Sequence, residues 1–322
     1  MPSECVIGVD LGGTKLLAGT VDAELDVHHR AQRRAPDSDQ AAVLDMLVDA
    51  VAELRDISEA EIRAVGFGIP ALIDRDRGVA VSSVHLPISE LAFADVMAER
   101  LGLPILVDND ANLAMLAEHR FGAARGALHA AMLTIGTGIG GGLIIDGKLF
   151  RGARGTGAEL GHMVIEADGP PCSGGCPNHG CLETLASGNA LGREGLRVAQ
   201  GAPDTGLGRA LAGGREITGS LVTELAHDGD QAARDVVALI GMKLGVGLAS
   251  LVNIFDPEVV VIGGGAIAAG DLLLQPARQV MAERALPPNR DVPVVPARFG
   301  AESGMLGAAT MAWDSLHAGA RV

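Results

Sequence analysis

The sequence predicts an α/β protein made of two similar halves, on three observations. Its 322 residues exceed one typical domain of about 100 to 200. Apolar runs of strand character alternate with amphipathic helical stretches. Residues 9–22 laid over residues 133–146, an offset of 124, align Leu11 with Ile135, Gly12 with Gly136, Val21 with Ile145 and Asp22 with Asp146. A repeat of that length is no solenoid; it suggests two related halves facing one another across a cleft.

The elements follow in order. Residues 5–9 are a short apolar run ending in Asp10-Leu-Gly-Gly-Thr-Lys15, and residues 16–21 are a second run closed by Asp22, so the two read as a hairpin around a glycine turn. Val43, Leu44, Leu47, Val48, Val51 and Leu54 give residues 40–55 the spacing of an amphipathic helix. Residues 62–69 read as a strand stopped by Pro70, and Ser89 as the cap of a helix running to Leu101. A buried strand at 103–107 delivers Asp108-Asn109-Asp110 to a helix at 111–119. The second half opens like the first, with a strand at 130–135, a glycine-rich turn at 136–142 and a strand at 143–145 entering the Asp146-Gly147 hairpin turn. A Gly, Cys and Pro-rich stretch at 166–181 precedes further helices. The longest covers about 232–253, where Gly241, Gly245 and Gly247 would permit close packing, and a strand at 258–262 runs into Gly263, Gly264 and Gly265.

Composition narrows the function. With 48% hydrophobic residues the chain can bury sizeable cores, which excludes disorder for most of it. Forty Asp and Glu against 25 Lys and Arg, a formal charge of −15, exclude a nucleic-acid binder that relies on a basic face. Six Phe, one Trp and no Tyr leave too few rings for stacking platforms, so a polar ligand must be held by hydrogen bonds. The uncharged stretch 130–145 has 16 residues and five glycines, too short and flexible for a membrane span. The start lacks a signal peptide's basic and apolar regions. We expect a cytosolic protein without membrane partners. Cys5 reads as a buried small hydrophobe, whereas Cys172, Cys176 and Cys181 fall within ten residues, which in a reducing compartment points to metal before disulfide.

Three strands end in glycine clusters, where backbone N–H groups can approach a phosphate without a side chain in the way. No G-x-x-x-x-G-K-[ST] is present, which excludes a P-loop. Residues 136–141 match G-x-G-x-x-G, yet a strand follows rather than the helix a dinucleotide site requires. Asp10 and Lys15 stand where they could hold Mg²⁺ through water and neutralise phosphate. Asp108 and Asp110 both leave a buried strand; either could cap the helix or act as a base. Zinc bound by the three thiolates would need a fourth ligand, for which His162 and His179 are available.

Six motifs occur in the order found in the ROK family of sugar kinases, which the chain resembles over nearly its whole length, bacterial glucokinases in particular. They are Asp10-Leu-Gly-Gly-Thr-Lys15, Asn109-Asp-Ala-Asn112, Thr134-Ile-Gly-Thr-Gly-Ile-Gly-Gly-Gly142, Gly157-Ala-Glu-Leu-Gly-His162, Cys181-Leu-Glu183 and Val261-Ile-Gly-Gly-Gly265. The resemblance implies an actin-like ATPase (ribonuclease H-like) fold of two α/β domains: a smaller one at 1–110, completed by a C-terminal helix at about 303–322, and a larger one at 111–302 with a zinc loop at 168–181. It implies an ATP-dependent hexose kinase, glucokinase first, with Asp110 as the base and Asn109, Glu159, His162 and Glu183 on the sugar. Asp10, Gly12, Gly13, Thr14, Lys15, Thr137, Gly138, Gly264 and Gly265 would hold ATP and Mg²⁺. His162, Cys172, Cys176 and Cys181 would hold a structural Zn²⁺. A homo-oligomer, dimer or tetramer, is expected. The alternatives are another ROK kinase, for N-acetylmannosamine, N-acetylglucosamine, mannose or fructose, and a non-catalytic sugar sensor. ROK repressors begin with a helix-turn-helix; the strand at Cys5 starts this chain directly and favours a kinase. Departures from the family pattern are the three-residue gap after Cys172, Pro177 for a glycine, Ala71 in Gly-Ile-Pro-Gly, and His85 where an asparagine is typical.

Overall fold

A computed structural model describes residues 2–13, 15–36, 39–75, 77–83, 86–173 and 176–318. Thr14 and His85 therefore lie outside the described residues. The chain opens with β1 (Glu4–Leu11), β2 (Lys15–Val21) and β3 (Val27–Arg34), followed by α1 (Gln40–Ile57) and β4 (Glu61–Ile69). Asp39 caps α1 by accepting the Ala42 N–H, and Val43, Leu44, Leu47, Ala50, Val51 and Leu54 are buried, the stripe that the spacing predicts. A small meander of β5 (Ala71–Asp74), β6 (Val79–Ser83) and β7 (Ser89–Leu91) leads into α2 (Phe93–Leu101), β8 (Ile105–Asn109) and α3 (Asp110–Phe121).

Ser89 is not the cap of α2. It pairs with Ser82 in the meander, and the helix starts four residues later without a side-chain cap. Phe93 fixes that start by packing edge-on against Phe67, ring centroids 5.3 Å apart.

The second series is β9 (Ala130–Ile135), β10 (Ile139–Ile145), β11 (Lys148–Phe150), α4 (Leu182–Ala186), α5 (Gly188–Gly201), α6 (Gly206–Ala212), α7 (Gly219–His227) and α8 (Gln231–Phe255). Then come β12 (Val259–Gly263), α9 (Asp271–Arg284), β13 (Val294–Pro296) and α10 (Ser303–Ala318). The glycine-rich turn is shorter than expected, because Ile139 already begins β10.

The two five-stranded sheets have matching orders, β3-β2-β1-β4-β8 and β11-β10-β9-β12-β13. In the first, β1 runs antiparallel to β2 and parallel to β4; in the second, β12 is parallel to β9 and to β13. The repeat reappears at its own register: β1 and β9 end at Leu11 and Ile135, β2 and β10 at Val21 and Ile145. This is the mixed α/β fold of two similar halves that the sequence predicts.

Two compact units result, residues 1–126, 142–158 and 301–322 in one, residues 127–141 and 159–300 in the other. In the first, α1 and α2 cover one face of the sheet through the core around Phe67, and α10 lies against β1 and β4. Glycines permit that contact: a methyl on Gly66 would stand 2.0 Å from the Ala308 carbonyl oxygen, and one on Gly307 1.8 Å from that of Leu113 on α3. In the second unit, α8 and α9 pack in the same manner, with Gly241 and Gly245 against the Leu273 and Ala277 carbonyls. Helix α8 is long and apolar enough to cross a bilayer by length and composition alone, yet 56% of that window is buried inside the protein, as for a core helix.

Candidate active site and cysteine cluster

Strand β8 carries Asp108 and Asn109 to its end, and α3 begins at Asp110. The cap of α3 is Asn109: its Oδ1 accepts the Ala111 and Asn112 N–H groups at 3.0 and 3.1 Å, and its Nδ2 donates to the Ala71 carbonyl at 3.4 Å. Asp110 occupies the first helical position, half-buried, with Oδ1 accepting the Ala111 N–H. Asp108 is fully buried and belongs to a salt bridge with Arg151, not to the cap.

Asp10, at the end of β1, is a neighbour of Asp110. A methyl on Gly68 would lie 3.6 Å from Asp10 Oδ1 and 3.4 Å from Asp110 Cα, so the two aspartates flank this glycine. Burial pushes the Asp10 carboxyl up to about 8, and the charge of Asp110 adds to the rise. Two neighbouring half-buried carboxylates suit a hard divalent cation, whose charge would ionise them both. Gly12 donates its N–H to the Lys15 carbonyl at 2.8 Å, which closes the turn at the mouth of the first hairpin and leaves the Lys15 side chain exposed. Gly13 lies in the same turn.

In the other unit the glycine turn is tied down by α5. The Gly136 carbonyl accepts the Gly188 N–H at 2.8 Å, and the Thr137 carbonyl the Asn189 N–H at 3.4 Å. Gly136 donates to the Gly138 carbonyl at 2.9 Å, and space for a Cβ on Gly136 is open. Gly264 takes φ +82°, a conformation that favours glycine, and a methyl there would stand 2.5 Å from the Ile135 carbonyl oxygen. Gly264 and Gly265 therefore adjoin the strand end from which the first turn springs.

Ile139, at the start of β10, gathers the remaining groups. Glu183, buried on α4, accepts the Ile139 N–H through Oε2 at 2.9 Å and the Ser173 hydroxyl through Oε1 at 3.4 Å. Gly161 abuts the Ile139 carbonyl, where a methyl would clash at 2.0 Å, and this contact sets the short turn Leu160–His162. Glu159 precedes that turn and is exposed.

His162, Cys172, Cys176 and Cys181 converge, their ligand atoms all within 4.8 Å of one another. Cys172 Sγ lies 3.5 Å from His162 Nδ1 and Cys176 Sγ 4.0 Å from Cys181 Sγ. Zn–S bonds of about 2.3 Å make tetrahedral edges of about 3.8 Å, so the four donors fit one Zn²⁺. His179 is exposed and turns its Nδ1 toward the Gly169 carbonyl at 3.2 Å. Cys5 is buried alone in β1, and burial raises its thiol pKa.

Sequence reasoning missed Arg151 and Ser173. No periodicity marks Arg151, since a lone arginine after a three-residue strand looks like surface, and Ser173 resembles any loop serine.

The ROK family model matches residues 6–315. The chain is 36% identical over 315 residues to a glucokinase of Thermotoga maritima, covering 97% of this chain and 98% of that one. It is 32% identical over 287 residues to a xylose repressor of Caldicellulosiruptor bescii, 87% of this chain and 70% of the repressor. Among solved structures, a ROK glucokinase from Streptomyces griseus in complex with glucose and AMPPNP superposes with a TM-score of 0.89 at 34% identity, over 96% of this chain and 99% of that one. On these matches the chain belongs to the ROK family.

Proposed function

We propose that this protein is an ATP-dependent hexose kinase, glucokinase first, which converts the sugar and ATP to sugar 6-phosphate and ADP. The observation that carries the reading is the place of Asp110: it follows the Asn109 cap at the first position of α3, at the end of a buried strand, with the Asp10 carboxyl as its charged neighbour. In the reaction the sugar hydroxyl oxygen bonds to the γ-phosphorus as the bond to the ADP oxygen breaks, and Asp110 accepts the hydroxyl proton. Asp10 would hold Mg²⁺, which neutralises phosphate charge, and Lys15 would add a positive charge. Gly12, Gly13, Thr14, Thr137, Gly138, Gly264 and Gly265 would line the phosphates.

Asn109, Glu159, His162 and Glu183 would hold the sugar hydroxyls. Asn109 Oδ1 and Glu183 already have partners within the chain, so in this reading they offer remaining capacity, the second Nδ2 hydrogen and further carboxylate lone pairs. Zn²⁺ on His162, Cys172, Cys176 and Cys181 would be structural and hold the loop between Glu159 and Glu183.

The same reading makes the enzyme cytosolic, without nucleic-acid or membrane partners, and a homo-oligomer. Exposed Ile254 and Leu286 lie close together, since Leu286 donates its N–H to Asn253, and they support association. An ADP-release assay across hexoses and N-acetylhexosamines tests the proposal. Turnover with glucose above the others is expected. Preference for an amino sugar would make it another ROK kinase, and sugar binding without ADP release would make it a sensor.

A further inference from the structure

We infer that Arg151 is a positioning residue that holds the Asp110 loop through Asp108, a role outside the sugar, nucleotide and metal groups already named. Asp108 has no exposed surface, and Arg151 keeps only 18% of its side chain accessible. The guanidinium donates from Nε and Nη2 to the same Asp108 oxygen, Oδ2, both at 2.6 Å. The other oxygen, Oδ1, accepts the Asn109 N–H at 2.8 Å and the Asn112 Nδ2 at 3.4 Å. One carboxylate thus binds both ends of the Asn109-Asp110-Ala111-Asn112 turn from behind, and one guanidinium neutralises it.

The same arginine reaches a second segment. Its carbonyl oxygen accepts the Gly157 N–H at 2.8 Å, closing the loop 151–157, and Gly155, with φ +82°, presses that loop against the Ile73 carbonyl of β5. Arg151 therefore fixes the turn carrying Asp110 with its side chain and the loop running toward Glu159 with its backbone. A buried carboxylate without its cation is strongly disfavoured, so the pair stands or falls together. Asn112 makes the arrangement sensitive: it is buried, and its Oδ1 has no partner among the described residues. What anchors its side chain is the bond its Nδ2 donates to Asp108. Displacing a catalytic group by about 1 Å can lower a rate about 10²-fold, which is the scale at which a positioning role would register.

The inference rests on the reading of Asp110 as the base, and its test separates the two. Arg151→Met removes the cation; the double variant Asp108→Leu with Arg151→Met replaces the ion pair by apolar groups and restores folding without restoring the tether. Expected for the double variant are a melting temperature close to wild type, kcat lowered about 10²-fold and a much smaller change in the KM for ATP. Recovery of kcat together with the melting temperature would overturn the role, because the pair would then serve stability alone. The second measurement needs no activity: amide hydrogen exchange of the unliganded protein should quicken at residues 109–112 in the double variant and stay unchanged in the last turn of α3. Uniform exchange along α3 would also overturn it. Wild-type protein that phosphorylates no hexose would refute the kinase reading while leaving the exchange result to decide the tether.

Discussion

The Asp110 turn at the β8–α3 junction and the cysteine loop at 168–181 are both small and both polar, but they are ordered by opposite means. Around Asp110, order comes from the protein itself: a helix cap by Asn109, a buried ion pair beneath it, and α10 packed on α3 through Gly307. In the cysteine loop, backbone bonds tie the ends, with the Gly180 N–H on the Pro170 carbonyl and the Gly180 carbonyl on the Ile165 and Glu166 N–H groups, while most of the described loop side chains are exposed. Four metal-ligating groups occupy its centre instead. A turn built into a core should fail through its chemistry; a loop built on such donors should fail when metal is withheld from them.

The largest effect should come from the first region. Asp110→Asn keeps the shape of the side chain and its place after the Asn109 cap, but the amide cannot take a proton. Sugar binding should persist while kcat falls by about 10² to 10⁴. Sugar affinity by titration beside turnover checks this, and a variant with near-normal kcat would remove Asp110 from the chemistry.

Cys176→Ser strikes the second region and should give the next largest effect. Elemental analysis of wild-type protein should find one zinc per chain, and of the variant almost none. Glu183 takes one of its bonds from Ser173 in the loop, and His162 is one of the four groups that could hold the metal, so both should loosen. Losing one charge-assisted hydrogen bond, worth about 1.5–3 kcal/mol in the bound complex, would weaken sugar binding roughly 10- to 150-fold. ATP binding should change far less. Equal losses for both ligands would mean that the loop supports the whole unit rather than the sugar groups.

These regions also differed in what the sequence disclosed. The cysteine cluster was legible because donor identity and spacing are local, and the choice of His162 over His179 followed from the resemblance. The Asp110 turn was only half legible. Apolar runs announced β8 and α3, but which of three adjacent polar residues would cap depended on where β8 stops, two residues beyond its apolar run. Arg151 gave no signal at all, since its burial is decided by a residue 43 positions away. Among the strands, β3 escaped notice because it is an edge with one buried residue, Ala31, amid His and Arg. Residues 71–91 hold strands of three to five residues, too short for alternation to stand out.

A smaller effect is expected at the glycine turn. Gly136 has open space where a Cβ would stand, so Gly136→Val should leave the melting temperature nearly unchanged. If phosphate approaches this turn, the branched side chain should raise the KM for ATP several-fold and leave that for sugar alone. An unchanged KM for ATP would assign the turn a structural role, like that of Gly264.

The smallest effect separates the two regions by pH in metal-free protein. Asp10 has its carboxyl raised from 3.8 to about 8. Between these values the folded chain holds a proton that the unfolded chain has released, so stability is fullest below about pH 4, declines as pH rises toward 8, and is level above. Cys181, pushed from 9.0 up to about 12 by burial and by its neighbouring thiols, acts with the same sign but between pH 9 and 12. From pH 5 to 8 this component of the slope should therefore belong to the aspartate pair. Melting temperatures of chelator-treated wild type and Asp10→Asn at several pH values across that window should show a shallower decline in the variant, while Cys176→Ser keeps the wild-type slope. Parallel curves for wild type and Asp10→Asn would mean that water or a cation solvates the Asp10 carboxylate in solution, and that the aspartates flanking Gly68 titrate as ordinary surface acids.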